Sequence, residues 1–253
     1  IVGNFQKEGF MSNTTNKKPS PAIVIMKREL ATYFTNPISY IVTGLFLIIT
    51  GVMFFTTFFL QNRANMRNFF SLLPILFSFF IPALTMRLYS EEKKSGSIET
   101  LMTLPVTELQ VVTGKFLAAF ISSAIMLAPT LLYLVSILFF GKPDIGPIIG
   151  GYIGAIFLCA AFSAIGVFAS SVTKNQLTAF FVAFMICIVL TMIDAFLIFL
   201  PAPIVSLLQF ISANEHFTSI SRGIIDTRDL IYFISLTALF FCLTVKTQEN
   251  DRK

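Results

Sequence analysis

The residues of this chain that can do chemistry are few, and the densest group of them stands in one stretch. Residues 86–105 read MRLYSEEKKSGSIETLMTLP and hold Arg87, Glu91, Glu92, Lys93, Lys94 and Glu99. Gly96 suits a left-handed helix end. Ser97 suits the cap of a short helix that follows, and Pro105 stops it. Ile98, Leu101, Met102 and Leu104 give that helix an apolar side, opposite a polar side with Glu99. Such a helix, fixed between two longer elements, is a natural contact surface for a partner protein. A solvated linker is the alternative, and the residues by themselves leave both open. No phosphate cradle accompanies this stretch. Gly114-Lys115 has Leu109 where a GxxxxGK[ST] loop needs its first glycine, and Phe116 follows. Any ATP-driven work must therefore use a separate chain. GxSxG and HExxH are also absent from the sequence, so this chain reads as something other than an enzyme, with no cofactor and no metal of its own.

The remaining candidates are isolated. Asp194 is the one acidic residue in the interior of a predicted span, and such residues are functional candidates by default. It lies about 17 residues into that span, roughly 26 Å along at 1.5 Å per residue. That leaves open a solvated helix end near the outer interface and a substrate or pairing role. His216, in NEHFTSISRG, reads as an exposed loop histidine with no specific task. Cys159, Cys187 and Cys242 all fall in apolar stretches. An odd number without CxxC spacing argues against a disulfide framework or a zinc site, and packing explains them. Gly150 and Gly154 make a GxxxG pair, which lets helices approach closely within the chain or across a dimer seam.

The elements that must position these residues follow from where charge is missing. No Asp, Glu, Lys or Arg occurs in 30–62, 68–86, 116–141, 145–173, 175–193, 195–214 or 230–245. A soluble helix needs a polar face. Stretches this long suit a bilayer core about 30 Å thick, crossed by about 20 apolar residues as helix. The chain of 253 residues is 55% hydrophobic, and the spans leave no room for a sizeable soluble domain. Its net charge of +5 comes from scattered residues rather than a continuous patch, so nucleic acid is not an expected partner.

The expected architecture is an all-α integral membrane protein with six spans. Residues 1–21 are polar and read as a disordered tail with no secretory signal; Met11 is a candidate start. One membrane domain covers 22–246. It opens with an amphipathic interfacial segment, AIVIMKRELATYFTN, carrying Lys27, Arg28 and Glu29 and broken at Asn36-Pro37. The spans are expected at 38–60, 69–89, 108–140, 148–171, 177–200 and 230–245. A polar segment at 90–107 separates the second and third, and Thr107 with Gln110 fits a capping box. Residues 201–229 are too short to cross and read as a re-entrant or interfacial stretch in the outer leaflet, and 247–253 form a charged tail. Six spans place both termini on one side. That side carries thirteen of the 18 Lys and Arg residues; the other has only Arg63, Arg67, Lys142, Arg222 and Arg228. Cytoplasmic loops carry the excess, so both termini are expected in the cytoplasm.

The segment around 86–105 resembles the signature of the ABC-2 type permeases, the membrane subunits of many bacterial ABC exporters. That family pattern is a paired Glu, a basic pair, then Gly-Thr-Leu-Glu and Leu…Leu-Pro. Glu91, Glu92, Lys93, Lys94, Gly96, Glu99, Leu101, Leu104 and Pro105 match it, with Ser97 and Ile98 as mild departures. The resemblance extends over about 26–246. Gly150-Gly151-Tyr152, Ser170-Ser171 and Arg222-Gly223 with Asp226 look more narrowly like the gliding-motility-associated (Gld-type) branch. The resemblance implies a type V exporter-like fold with a connecting helix at Lys27, Arg28 and Glu29. It implies a coupling helix between spans 2 and 3, with Glu91, Glu92, Gly96, Ser97, Glu99, Thr100, Leu101 and Pro105 facing an ABC ATPase subunit. It also implies short outer-leaflet helices between spans 5 and 6, a second permease as partner, ATP and Mg held by the ATPase, membrane lipid around the bundle, and the bacterial inner membrane as location. A different class remains: a membrane scaffold or anchor of a motility or secretion complex that transports nothing.

Overall fold

The computed structural model describes residues 20–61, 65–97, 106–141, 143–195, 202–224 and 226–252. Within them the chain is helical, and six helices are long and apolar enough to cross a membrane. Helix α1 (Pro21–Thr35) ends where Asn36 turns extended ahead of Pro37. α2 (Pro37–Gln61) follows, its first turn capped by Asn36 Oδ1 on the Ile38 N–H at 2.9 Å. α3 (Arg67–Thr85) carries Pro74 and Pro82 in its interior. A turn over 86–89 leads to the short α4 (Ser90–Ser95). α5 (Glu108–Leu127) opens on the capping box of Thr107 and Gln110. A single 3₁₀ turn at Ala128–Thr130, where Pro129 has no N–H to give, separates it from α6 (Leu131–Phe140). α7 (Ile145–Val172), α8 (Gln176–Met192), α9 (Ala202–Ile211), α10 (Ala213–Ser221) and α11 (Thr227–Asp251) complete the order.

α7 is the axis of the bundle. α3, α5, α8, α10 and α11 all pack on it. Its span is 72% buried, whereas those of α2 and α8 are 22% buried and that of α11 is 17% buried. α2 and α8 flank α3 and turn apolar side chains outward: Ile41, Ile48 and Val52 from one, Phe181, Met185 and Val189 from the other. Between the helices run short hydroxyl contacts: Ser78 with Thr191 at 2.9 Å, Ser123 with Ser163 at 3.1 Å, and Thr50 with Tyr133 at 3.2 Å. In an apolar solvent such polar pairs help hold helices together, since hydrophobic burial between them adds little.

The expected second span lies within Arg67–Ser95, with its regular helix interrupted after Thr85. At the break, the Ser170 hydroxyl of α7 accepts from the N–H groups of Tyr89 (2.9 Å) and Ser90 (3.1 Å) and donates to the Met86 carbonyl (3.0 Å). A neighbouring side chain thus satisfies backbone groups that would otherwise be orphaned. The predicted charged tail after 246 is instead the last turns of α11, which run to Asp251 because Gln248 is buried and Asp251 has a cationic partner. His216 is neither exposed nor in a loop: it is 6% exposed and sits inside α10. Residues 1–19 of the expected tail, and the expected end of the fifth span at 196–200, lie outside the described residues.

Candidate coupling interface

The bundle has two ends, and most of the charge gathers at the one that carries α1, α4 and the start of α5. Lys115 is its centre. The side chain is fully buried, about two turns into α5 and just ahead of its charge-free run. Its ammonium donates to Glu29 Oε1 of α1 at 3.0 Å and to the Leu88 carbonyl. It also lies 2.9 Å from Glu92 Oε2 of α4, as an ion pair rather than a formed hydrogen bond, and 4.8 Å from the centre of the Tyr89 ring. Arg28 adds a second cation. Its Nη2 stands 2.7 Å from Glu29 Oε1 and 2.5 Å from Glu92 Oε1. Two carboxylates thus share two cations from three elements.

The local sequence explains the geometry. Gly114 and Ala118 lie on the side of α5 that receives α1, and a Cβ at Gly114 would stand 2.7 Å from the Ala22 carbonyl oxygen. The close crossing brings Glu29 over Lys115. Burial alone pushes the Glu29 carboxyl up, but the Lys115 ammonium and the Arg28 guanidinium outweigh it and hold the group below its ordinary 4.5.

α4 is fastened on its other side as well. Lys93 Nζ pairs with Asp251 Oδ2 of α11 at 2.5 Å and donates to the Ser171 carbonyl of α7. Arg252, just past α11, pairs with Glu108 at the start of α5. Gly96 ends α4 with φ 74°, a left-handed conformation that glycine adopts without strain. This six-residue helix is therefore joined by side chains to α1, α5, α7 and α11. Of the sequence-derived candidates, Arg28, Glu29 and Glu92 meet here. Glu91 is 3.6 Å from Arg87 on its own turn. Lys27 is exposed on α1, and Ser97 stands 2.9 Å from Ser95. Glu99, Thr100, Leu101 and Pro105 lie outside the described residues. Sequence reading missed Lys115 as a partner of these groups.

The opposite end is built differently. α10 lies against α7: a Cβ at Gly150 would stand 2.3 Å from the Ile220 carbonyl oxygen, and one at Gly154 would stand 3.2 Å from the Phe217 ring. The GxxxG pair thus serves a contact within the chain. His216 Nδ1 is 2.7 Å from Asp229 Oδ1 at the start of α11, its Nε2 is 3.1 Å from the Phe210 carbonyl, and Tyr232 stacks on its ring. Asp194, just beyond α8, accepts from the Asn214 amide at 2.7 Å. Both acidic residues tie α10 to neighbouring elements, Asp194 from just past α8 and Asp229 from the start of α11. Among the described residues no group of His, Cys, Asp and Glu could hold a metal ion.

Six helices long and apolar enough to cross a membrane, five of them around a buried sixth, with a charged cluster at one end, define a multi-pass integral membrane protein. Residues 23–245 match the family described as ABC-2 family transporter protein, and the chain belongs to that family. It is a membrane permease subunit, a component of transport machinery. No curated protein matches the chain.

Proposed function

We propose that this chain is the permease of an ATP-driven ABC-2 exporter in the bacterial inner membrane, with both termini in the cytoplasm. In this reading a second permease completes the translocation path. ATPase subunits dock on the stretch that follows α4, and the chain falls in the Gld-type branch of its family. The observation that carries the proposal is the fastening of α4. A force applied just beyond Gly96 reaches α1 and α5 through Glu92, and α7 and α11 through Lys93. Motion of one short helix thereby acts on several spans at once. A motor shifts such an equilibrium only by its differential affinity for the two arrangements, and α4 is where that difference enters the membrane domain.

Glu92 faces inward, towards Lys115 and Arg28, so its part is transmission and not docking. The test uses the permease co-purified with its ATPase and reconstituted in proteoliposomes. Glu92→Gln is expected to leave the complex intact and to lower substrate-stimulated ATPase activity and transport about tenfold, about 1.4 kcal/mol of lost coupling. Glu99→Ala is expected to weaken the complex itself. Unchanged stimulation in Glu92→Gln, or absence of any ATPase partner in the purified assembly, overturns the reading.

A further inference from the structure

Beside the Lys115 cluster lies a cleft of about 200 Å³, walled by α1, the first turn of α2, the end of α3, α4 and the middle of α5. Its charges divide into two sets. Glu29 and Glu92 are already held by Lys115 at the floor. Arg28 and Glu91 stand towards the opening, with side chains 51% and 57% exposed, and Arg87 lies deeper beside Glu91. Arg28 makes both of its ion pairs through Nη2. Arg87 approaches Glu91 through Nε, and at 3.6 Å the pair is not a hydrogen bond. The Arg87 side chain is 15% exposed and that of Glu91 is 57% exposed, so the guanidinium turns inward while the carboxylate stands at the rim. Two guanidinium groups with N–H donors to spare thus line one cleft, and guanidinium forks suit a phosphate. A carboxylate a few ångströms away disfavours a purely anionic ligand and favours one with its own ammonium.

The depth of the cleft indicates where such a ligand resides. Ser39 comes from the first turn of α2 and Leu84 from the last turn of α3, the level at which spans give way to headgroups. The same turn of α2 exposes Ile38, Tyr40 and Ile41, a surface for acyl chains. We propose that this cleft binds the headgroup of a zwitterionic phospholipid with a primary ammonium, its phosphate on Arg28 and Arg87 and its ammonium on Glu91. A quaternary ammonium has no N–H to give Glu91, so a choline headgroup is discriminated against. The site rests on the membrane embedding and not on ATP coupling.

The test is native mass spectrometry of the whole chain after delipidation in detergent. The protein is then incubated with mixed micelles containing phosphatidylethanolamine, phosphatidylcholine or phosphatidylglycerol. The wild type is expected to retain one phosphatidylethanolamine at least tenfold more tightly than either other lipid. Arg87→Gln is expected to lose that retention. Glu91→Gln, at the exposed rim where folding is not at stake, is expected to bring phosphatidylethanolamine and phosphatidylcholine to equal retention. Equal retention of all three lipids by the wild type, preference for phosphatidylglycerol, or unaltered selectivity in Glu91→Gln overturns the proposal.

Discussion

The two ends of the bundle are held by different physics. At the α1 end, helices are joined through shared charge. Lys115, Arg28, Glu29 and Glu92 form a set in which each cation touches two carboxylates. At the α10 end they are joined mainly by close approach, with glycines of α7 lying under the backbone and rings of α10. Shared charge tolerates rearrangement, because a cation can lean from one carboxylate to the other while remaining paired. Close packing of backbone on backbone has one good arrangement and resists deformation. Contacts at the first end can therefore be exchanged, while those at the second have one good fit. That difference suits the function proposed above, in which the drive enters at the α1 end and the contact of α10 on α7 stays fixed.

The sharpest way to break the contrast is to remove the shared cation. Lys115→Met keeps length and removes charge, leaving Glu29 and Glu92 buried with Arg28 alone. Deleting one partner of a buried ion set costs about 3–5 kcal/mol, which makes this the most damaging of the expected substitutions. Denaturant titration of the purified protein in detergent measures it. Lys115→Met combined with Glu29→Gln and Glu92→Gln is expected to recover most of that stability, because the uncompensated charges are gone. It is not expected to recover transport. Recovery of both would reduce the cluster to a structural device.

The opposite end is tested by volume. Gly150→Ala places a methyl group 2.3 Å from the Ile220 carbonyl oxygen. Backbone must shift to accept it, and overpacking of this kind costs about 1–3 kcal/mol. Gly146→Ala, on the same helix but with nothing within 4 Å of the added carbon, is the control and is expected to be neutral or slightly stabilising. Equal unfolding midpoints for the two variants would show that α10 does not depend on this contact.

Much of the architecture is legible in the sequence because lipid leaves few alternatives. Charge-free runs mark the crossings, Asn36-Pro37 marks a break, and Thr107 with Gln110 marks a helix start that the structure forms as a full capping box. The misses have a common cause. Lys115 reads as a flanking charge, yet Val111, Gly114, Ala118, Ala119 and Ser122 around it share one helical face. A lysine on a face of small residues is a buried lysine. His216 reads as a loop residue, but Ala213, Phe217 and Ile220 keep helical spacing with it, and all are buried. Its partner Asp229 is invisible in the sequence, since nothing local links the first turn of α11 to α10. The α4 fastenings are hidden for the same reason: Lys93 and Asp251 are 158 residues apart. Local periodicity carries information about faces, and long-range ion pairs become visible only when the faces are assembled.

The finest test of the charged end is its response to acid. The Glu29 carboxyl has a lower pKa in the folded chain than its ordinary 4.5. Below pH 4.5 the unfolded chain therefore binds more protons than the folded one. The stability that Glu29 contributes is complete above that value and is lost as pH falls through the lowered folded value. Thermal unfolding in detergent from about pH 7 to about pH 3 should show this loss, and Glu29→Gln should flatten that part of the profile. The close packing of α10 on α7 involves no titrating group at Gly150 or Gly154, so Gly150→Ala is expected to lower the whole curve without changing its slope in acid. A Glu29→Gln profile parallel to that of the wild type would mean that Lys115 is neutralised chiefly by Glu92, and the shared-charge account of the α1 end would have to be redrawn around that single pair.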